Sequence, residues 1–590
     1  MNVSETGVRS WRVIMAALLV VLGMLPMGDL AQAKARPGDA LAVVKPAISC
    51  DALGKTDISG AVGVGVSLQQ AALKTTDKGS YCVVTGQIAP AIRFEVDLPM
   101  EHWTQRLLQE GCGGLCGNVS TGVDNAGTCL PALNGELVVS TDNLGHDGGD
   151  GAFGADPQKR IDFAYRANHL TALASKALIR ALYGRPQRYA YFMGCSDGGR
   201  EALIEAQRYP QDFDGVSAGD PAAMFQTQNS FYGAWSADAN KRADGAPILL
   251  AAKGQLIHDA VLAECDTLSG VKDGLLQDPR ACRFEAASLL CPPSASDTAK
   301  CLTPEEATVL QKLYDGAGDG AGHLFTFPAE RGGEAYWHLP ASAAPAGPGM
   351  DFTSTSIANV ILPEVSPADG DVSKFAFTQA NFDRMAQLAP LYNGLNTNLK
   401  PFAAHGGKLL VWHGWSDTAV TPEVSIAYYR GVQTYMGSAQ TDAFLRLFLI
   451  PGMGHCQGGD GYDRFDVLTP LMAWVEHGVK PAKLLTGKRK PAPQGQGGGG
   501  GMNGPPKMVP GIRPIPAKEP DLVATRPVYP FPYLPHYVGQ GDPNDATNYV
   551  QIKSPVARPW PFAGNVATSL IGPNNQKRYA VKDGRLAVVD

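Results

Sequence analysis

Residues 188–208 read RYAYFMGCSDGGREALIEAQR, and this run decides the fold. Arg188–Met193 is short, apolar and aromatic, the composition of a buried strand. Gly198–Arg208 sets Ala202, Leu203 and Ala206 on one helical face, and Tyr209-Pro210 stops the helix. Between them, Gly194-Cys195-Ser196-Asp197-Gly198 fits G-x-S-x-G, a tight strand-to-helix turn that exposes a serine hydroxyl at the edge of an α/β sheet. The plainer alternative is a Gly-rich turn that only packs a helix on a strand. The strand before the turn and the helix after it favour the nucleophile reading.

Two more strands end in loops with polar residues. Lys408–Trp412 leads into His413-Gly414-Trp415-Ser416-Asp417, and Ala443–Ile450 leads into Gly452-Met453-Gly454-His455-Cys456. Asp162–Tyr183, closed by Gly184, and Phe465–Glu476 read as helices. Open parallel sheets gather their sites at the carboxyl ends of the strands. The order Ser196, Asp417, His455 is that of an α/β-hydrolase triad. A hydroxyl attacks poorly until a base takes its proton, which neutral imidazole can do near neutral pH. A carboxylate behind the imidazole fixes its tautomer and stabilises imidazolium. Asp463 and Asp466 follow the histidine, break this order and are set aside. The oxyanion donors expected are the N–H of Asp197 and that of Gly113, within Gly111-Cys112-Gly113-Gly114. A Cys195–Cys456 disulfide would need its Cα atoms roughly 5–6 Å apart and would bring Ser196 beside His455.

The chain has 590 residues and a formal charge of -6, which gives no reason to expect nucleic acid or an anionic membrane as partner. Residues 1–33 read as an export signal: Arg9 and Arg12, an apolar stretch from Val13 to Met27, then Ala31-Gln32-Ala33. An uncleaved anchor is the competing reading. Export makes paired cysteines the default for the 11 present, one of them left over. Short-range candidates are Cys50–Cys82, Cys265–Cys282, Cys291–Cys301 and Cys116–Cys129, although the sequence does not fix connectivity. Cys112-x-x-x-Cys116 is a poor zinc site, because no matching Cys/His pair follows. Strand–helix alternation breaks down over 222–400, read as a lid domain inserted into a catalytic domain of 34–221 and 401–590. The segment 488–516 turns Gly/Pro-rich and reads as a linker or loop.

Together these residues resemble the tannase and feruloyl esterase family of secreted α/β-hydrolases, which includes the mono(2-hydroxyethyl) terephthalate hydrolases. The family's CS-D-HC pattern stands here as Cys195-Ser196, Asp417 and His455-Cys456. Flanking matches are Asp162–Arg166, Gly194–Arg200, Arg208–Gly215, Gly541-Asp542 and Asp545–Tyr549. The resemblance implies a serine esterase acting on small aromatic-acid esters through an acyl-enzyme, secreted or periplasmic, with no redox cofactor. A broader carboxylesterase or an aromatic polyester-monomer hydrolase is the alternative on the same scaffold; a non-catalytic binding protein is the rival from another class. The resemblance also implies calcium in the loop Cys265–Leu275, held by Asp266, Asp273 and the carbonyls of Val271 and Leu275, with Ser269 where a further Asp is usual. Tyr529 and Gln551 stand where the family's C-terminal cysteines would be. Tyr336 and Trp337 are candidates to line the pocket, or else pack in the core.

Overall fold

A computed structural model describes residues 41–123, 125–266, 269–318, 323–342, 360–361, 377–489, 522–556 and 566–589. The export-signal reading (1–33) and nearly all of the Gly/Pro-rich stretch lie outside the described residues.

Nine strands form the main sheet: β1 (Val66–Thr76), β2 (Gly79–Ile88), β3 (Ile92–Pro99), β4 (Arg106–Glu110), β5 (Leu137–Asp142), β6 (Tyr189–Cys195), β7 (Gly215–Gly219), β8 (Lys408–Gly414) and β9 (Leu445–Ile450). Their order is β1-β2-β3-β5-β4-β6-β7-β8-β9. From β5 to β9 every pairing is parallel, while β1, β2 and β3 add an antiparallel flank. Parallel strands are covered on both faces, so successive residues serve two cores. In β6, Ala190 and Phe192 face one core, Tyr191 and Met193 the other.

The helices that matter for the site are α1 (Ala167–Tyr183), α2 (Asp197–Arg208), α3 (Gly254–Cys265), α4 (Pro304–Asp315), α5 (Pro422–Met436) and α6 (Leu468–His477). The first core takes Leu178 and Leu182 of α1, Leu203 of α2 and Val424 of α5; the second takes Leu468, Leu471 and Met472 of α6. Two helix starts differ from the sequence reading. Asp162–Arg166 is a wider π turn leading into α1. Asp466 accepts from the N–H groups of Leu468 and Thr469, so α6 begins after a short strand at Arg464–Phe465.

Between β7 and β8 no described residue joins the main sheet. That region carries α3 and α4 around a small core of its own, including Ile257, Val261, Phe284 and Leu310. The Gly/Pro-rich stretch connects Leu484–Arg489 to Leu522–Val528, which pair antiparallel as part of a three-stranded sheet.

Close backbone approach selects glycine where β6, β7 and α2 meet. A Cβ on Gly194 would lie 2.4 Å from the Gly198 carbonyl oxygen, and one on Gly199 would lie 2.3 Å from that of Gly219. Gly199→Ala should therefore destabilise the protein by about 1–3 kcal/mol, the usual cost of overpacking. A thermal melt checks this, and an unchanged melting temperature would contradict the packing described.

Candidate active site

The elbow is built by backbone. Ser196 has φ 64° and ψ -119°, outside the helix that follows. Its N–H donates to the Gly219 carbonyl (3.0 Å), and its carbonyl accepts from Arg200 (3.1 Å) and Ala222 (2.9 Å). The buried Arg200 guanidinium holds Asp197 with two of its nitrogens, Nε–Oδ1 2.6 Å and Nη2–Oδ2 2.8 Å. It also donates to the carbonyls of Phe163 and Ala164, which gives the Asp162–Arg166 segment a role in fixing α2. Asp197 is the first residue of α2, where a backbone N–H has no acceptor within the helix. The 111–117 loop abuts this turn, since a Cβ on Gly111 would lie 2.8 Å from the Gly198 Cα. Gly113 is exposed in that loop.

The loops carrying Asp417 and His455 meet at the ends of β8 and β9. His455 Nδ1 lies 2.7 Å from Asp417 Oδ2, while Asp417 Oδ1 accepts from the N–H groups of Ala419 and Val420 at 2.8 Å each. Ser416 donates its N–H to the Met453 carbonyl (2.9 Å), joining the two loops. Burial works against charge on both groups, but mutual attraction wins. His455 is drawn up to about 9, chiefly by Asp417. Asp417 is held well below the usual carboxylate range by His455 and His413. Cys195 and Cys456 are bridged with Cα atoms 6.0 Å apart, so the residues next to Ser196 and His455 are covalently joined. Asp463 and Asp466 serve turns instead, accepting from Gly458 and from the start of α6.

Two buried residues at this site were given no role from sequence: Asp220, just after β7, and His413, in β8. Asp220 accepts from Gly414 (2.7 Å) and Cys456 (2.8 Å). His413 lies 3.3 Å from Asp417 and 3.5 Å from Asp220. Gly215–Gly219 is short and glycine-rich, so neither period nor β-branching marks it as a strand whose end could carry a functional residue. His413 lies four residues before Asp417, and a histidine at that spacing from a candidate carboxylate is the signal the sequence carries for it.

Residues of the region between β7 and β8 touch both loops. Ser416 Oγ donates to the Gly332 carbonyl (2.9 Å), and Tyr336 OH donates to Asp460 (2.6 Å). His258 of α3 lies between Asp460 (3.1 Å) and Glu334 (3.3 Å). Burial opposes its charge, yet these carboxylates raise it to about 9. Tyr336 thus binds the loop after β9, and Trp337 packs edge-on to Tyr314.

Residues 76–552 match the family model for tannase and feruloyl esterase. The chain belongs to the tannase and feruloyl esterase family. It is 32% identical over 528 residues to an uncharacterized esterase of Xanthomonas campestris pv. campestris, covering 81% of this chain and 85% of that one. It is 30% identical over 538 residues to the mono(2-hydroxyethyl) terephthalate hydrolase of Piscinibacter sakaiensis, covering 80% and 84%. Among solved structures, an esterase from Aspergillus oryzae has the same fold, with TM-score 0.68 at 23% identity over 82% of this chain and 97% of that one. The fold is that of an α/β-hydrolase, and the protein is a carboxylic ester hydrolase.

The esterase has four further disulfides among the described residues: Cys50–Cys82, Cys112–Cys116, Cys265–Cys282 and Cys291–Cys301. The expected Cys116–Cys129 pair is thereby corrected. Cys116 belongs to one core and Cys129 to the other, across the sheet, where its free thiol is buried beside Met472. A zinc site at Cys112 and Cys116 is also set aside, because both sulfurs are bonded to each other. No helix among the described residues is long and apolar enough to cross a membrane.

In the loop after α3, Asp266 Oδ2 accepts from Gly274 (2.8 Å), while its Oδ1 is buried without a hydrogen-bond partner. Asp273 Oδ1 is likewise unpartnered, and its Oδ2 lies 2.8 Å from Arg526 Nη1. Ser269 donates its hydroxyl to the Val271 carbonyl.

Replacing Cys195 and Cys456 together by Ser should lower the esterase's stability by about 2–4 kcal/mol, read as a drop in melting temperature. Its kcat should fall further than that of a Cys291→Ser/Cys301→Ser variant, whose bridge lies in the inserted region. Equal activities would show that the first bridge does not position the site.

Proposed function

We propose that this esterase hydrolyses esters of aromatic carboxylic acids through Ser196, His455 and Asp417. The observation that carries this reading is the 2.7 Å His455–Asp417 bond, tied by the Cys195–Cys456 bridge to a serine on a strained elbow. His455 takes the Ser196 proton as the hydroxyl oxygen attacks the ester carbonyl. Asp417 keeps the imidazole N–H directed away from the serine and stabilises imidazolium. The N–H groups of Asp197 and Gly113 receive the oxyanion. Imidazolium then protonates the departing alcohol, leaving an acyl-enzyme. Water, deprotonated by the same imidazole, releases the acid.

The aromatic substrate class is supported by family membership and by a relative named for terephthalate monoester hydrolysis. That relative also favours polyester-monomer esters as the second reading. The region between β7 and β8 acts in this proposal as a lid supplying the acyl pocket. The paired cysteines and the reading of 1–33 support export to an oxidising compartment, secreted or periplasmic.

The Cys265–Leu275 loop fits calcium. Two buried carboxylates with unpartnered oxygens suit a hard cation, which would bind Asp266, Asp273 and the carbonyls of Val271 and Leu275. Ser269 adds no charge, and Arg526 already offsets part of Asp273. Calcium here would brace the inserted region and take no part in the reaction.

A fluorophosphonate probe should label the wild type and fail to label Ser196→Ala; equal labelling would remove Ser196 from the mechanism. In assays on methyl gallate, methyl ferulate, chlorogenate and hydroxyethyl terephthalate, at least one should be turned over far faster than a short-chain acyl ester. Turnover of the short-chain ester alone would defeat the aromatic assignment and leave the hydrolase. Chelation should lower the melting temperature of the wild type but not of Asp273→Asn. Identical melts of the wild type with calcium and with chelator would exclude the ion.

A further inference from the structure

Asp220 occupies a position that the triad alone does not explain. It is fully buried, immediately after the end of β7. Its own N–H donates to the Trp412 carbonyl of β8 (2.8 Å). Its side chain reaches both working loops, accepting from Gly414 through Oδ1 (2.7 Å) and from Cys456 through Oδ2 (2.8 Å). The Cys195 sulfur of the bridge lies 3.5 Å from the same Oδ2. Ser196, Asp220 and Cys456 are three of the eight non-glycine residues with positive φ among those described, at 64°, 35° and 62°. Backbone held in such regions persists only where the surroundings enforce it, and it gathers at functional sites.

The charged neighbours form a short chain. His413 Nε2 donates to the Val420 carbonyl (2.8 Å) and sits 3.5 Å from Asp220 Oδ1 and 3.3 Å from Asp417 Oδ2. Its Nδ1 meets Ser425 Oγ of α5 at 2.8 Å. Asp417 in turn holds His455. The cluster is internally satisfied: each oxygen of Asp220 and Asp417 already accepts a hydrogen bond.

We propose that Asp220 is a positioning residue for the esterase reaction: its carboxylate ties the acid and base loops together beneath the Cys195–Cys456 bridge, and its negative charge helps stabilise His455 in the protonated form that the reaction passes through. The proposal rests on the triad reading above. Burial pushes the Asp220 carboxyl up to about 6, with His413 and His455 opposing and Asp417 adding to the rise. Asp220 is therefore ionised over the range in which His455, raised to about 9, loses its proton. Groups bearing on His455 are Asp417 from the β8 loop and Asp220 from the end of β7; His413 bears on both carboxylates.

The sign follows. Two carboxylates favour imidazolium, so the free base, and with it kcat/KM, grows as pH rises through the raised His455 value. Removing one negative charge should move that rise toward acid. The test measures kcat/KM for 4-nitrophenyl acetate against pH for the full chain carrying Asp220→Asn, Asp220→Ser or Asp220→Glu, each checked for a cooperative melt. Asn preserves shape but can accept from only one of the two N–H groups; Ser leaves room for water to meet both. Both neutral variants should shift the ascending limb about one pH unit toward acid and lower the plateau about 10- to 100-fold. Asp220→Glu should keep the limb at the wild-type pH. A folded Asn or Ser variant with an unmoved limb would overturn the proposal, as would a Glu variant that shifts like the neutral ones. Ser196→Ala, run alongside, separates the premises: full activity there would defeat the triad, whereas an inactive Ser196→Ala with unmoved Asp220 limbs would defeat only Asp220.

Discussion

The Cys195–Cys456 bridge is the constraint on which the site depends. It joins the end of β6 to the loop after β9, strands separated in the sheet by β7 and β8. Catalytic geometry built on loops is ordinarily sensitive to small drifts, and misplacement of about 1 Å can cost ~100-fold in rate. A covalent link between the neighbours of Ser196 and His455 limits that drift. Glycines at 194 and 199 let α2 pack directly against the ends of β6 and β7, and Gly198 lets the Gly111-Cys112 backbone approach the same turn.

Electrostatics reinforce the covalent tie. Asp417 serves two imidazoles, His455 at 2.7 Å and His413 at 3.3 Å, and both of its oxygens are engaged. Such an arrangement is expensive to bury unless every charge is met, and here each is. On the other side of the elbow, Arg200 and Asp197 form a second buried pair that anchors α2 to the Asp162–Arg166 turn. Two separate charge systems therefore fix the helix that follows Ser196 and the loops that carry Asp417 and His455.

The legible parts of the chain were those with local signatures. Strand, elbow and helix over 188–208 carry composition, motif and termination signals together, and the strands before Asp417 and His455 are apolar runs of ordinary length. What escaped was set by contacts distant in sequence. The Gly215–Gly219 strand has too little side chain to show a period, so nothing in the sequence marks Asp220 as a strand-end residue. The antiparallel flank β1–β3 gave no motif to anchor it. Cys129 sits within reach of Cys116 along the chain, yet the sheet lies between them, and a sequence does not show which face a loop residue will enter.

The Gly/Pro-rich stretch joins two strands already hydrogen-bonded to each other, with Leu484 opposite Val528 and Lys488 opposite Ala524. Its two ends are held side by side by that ladder. Closing a loop grows costlier only slowly with length, by about 0.6 kcal/mol per doubling. The ladder thus sets where the chain leaves, at Arg489, and where it returns, at Leu522, on a small sheet apart from the nine-stranded one whose strands lead to Asp417 and His455.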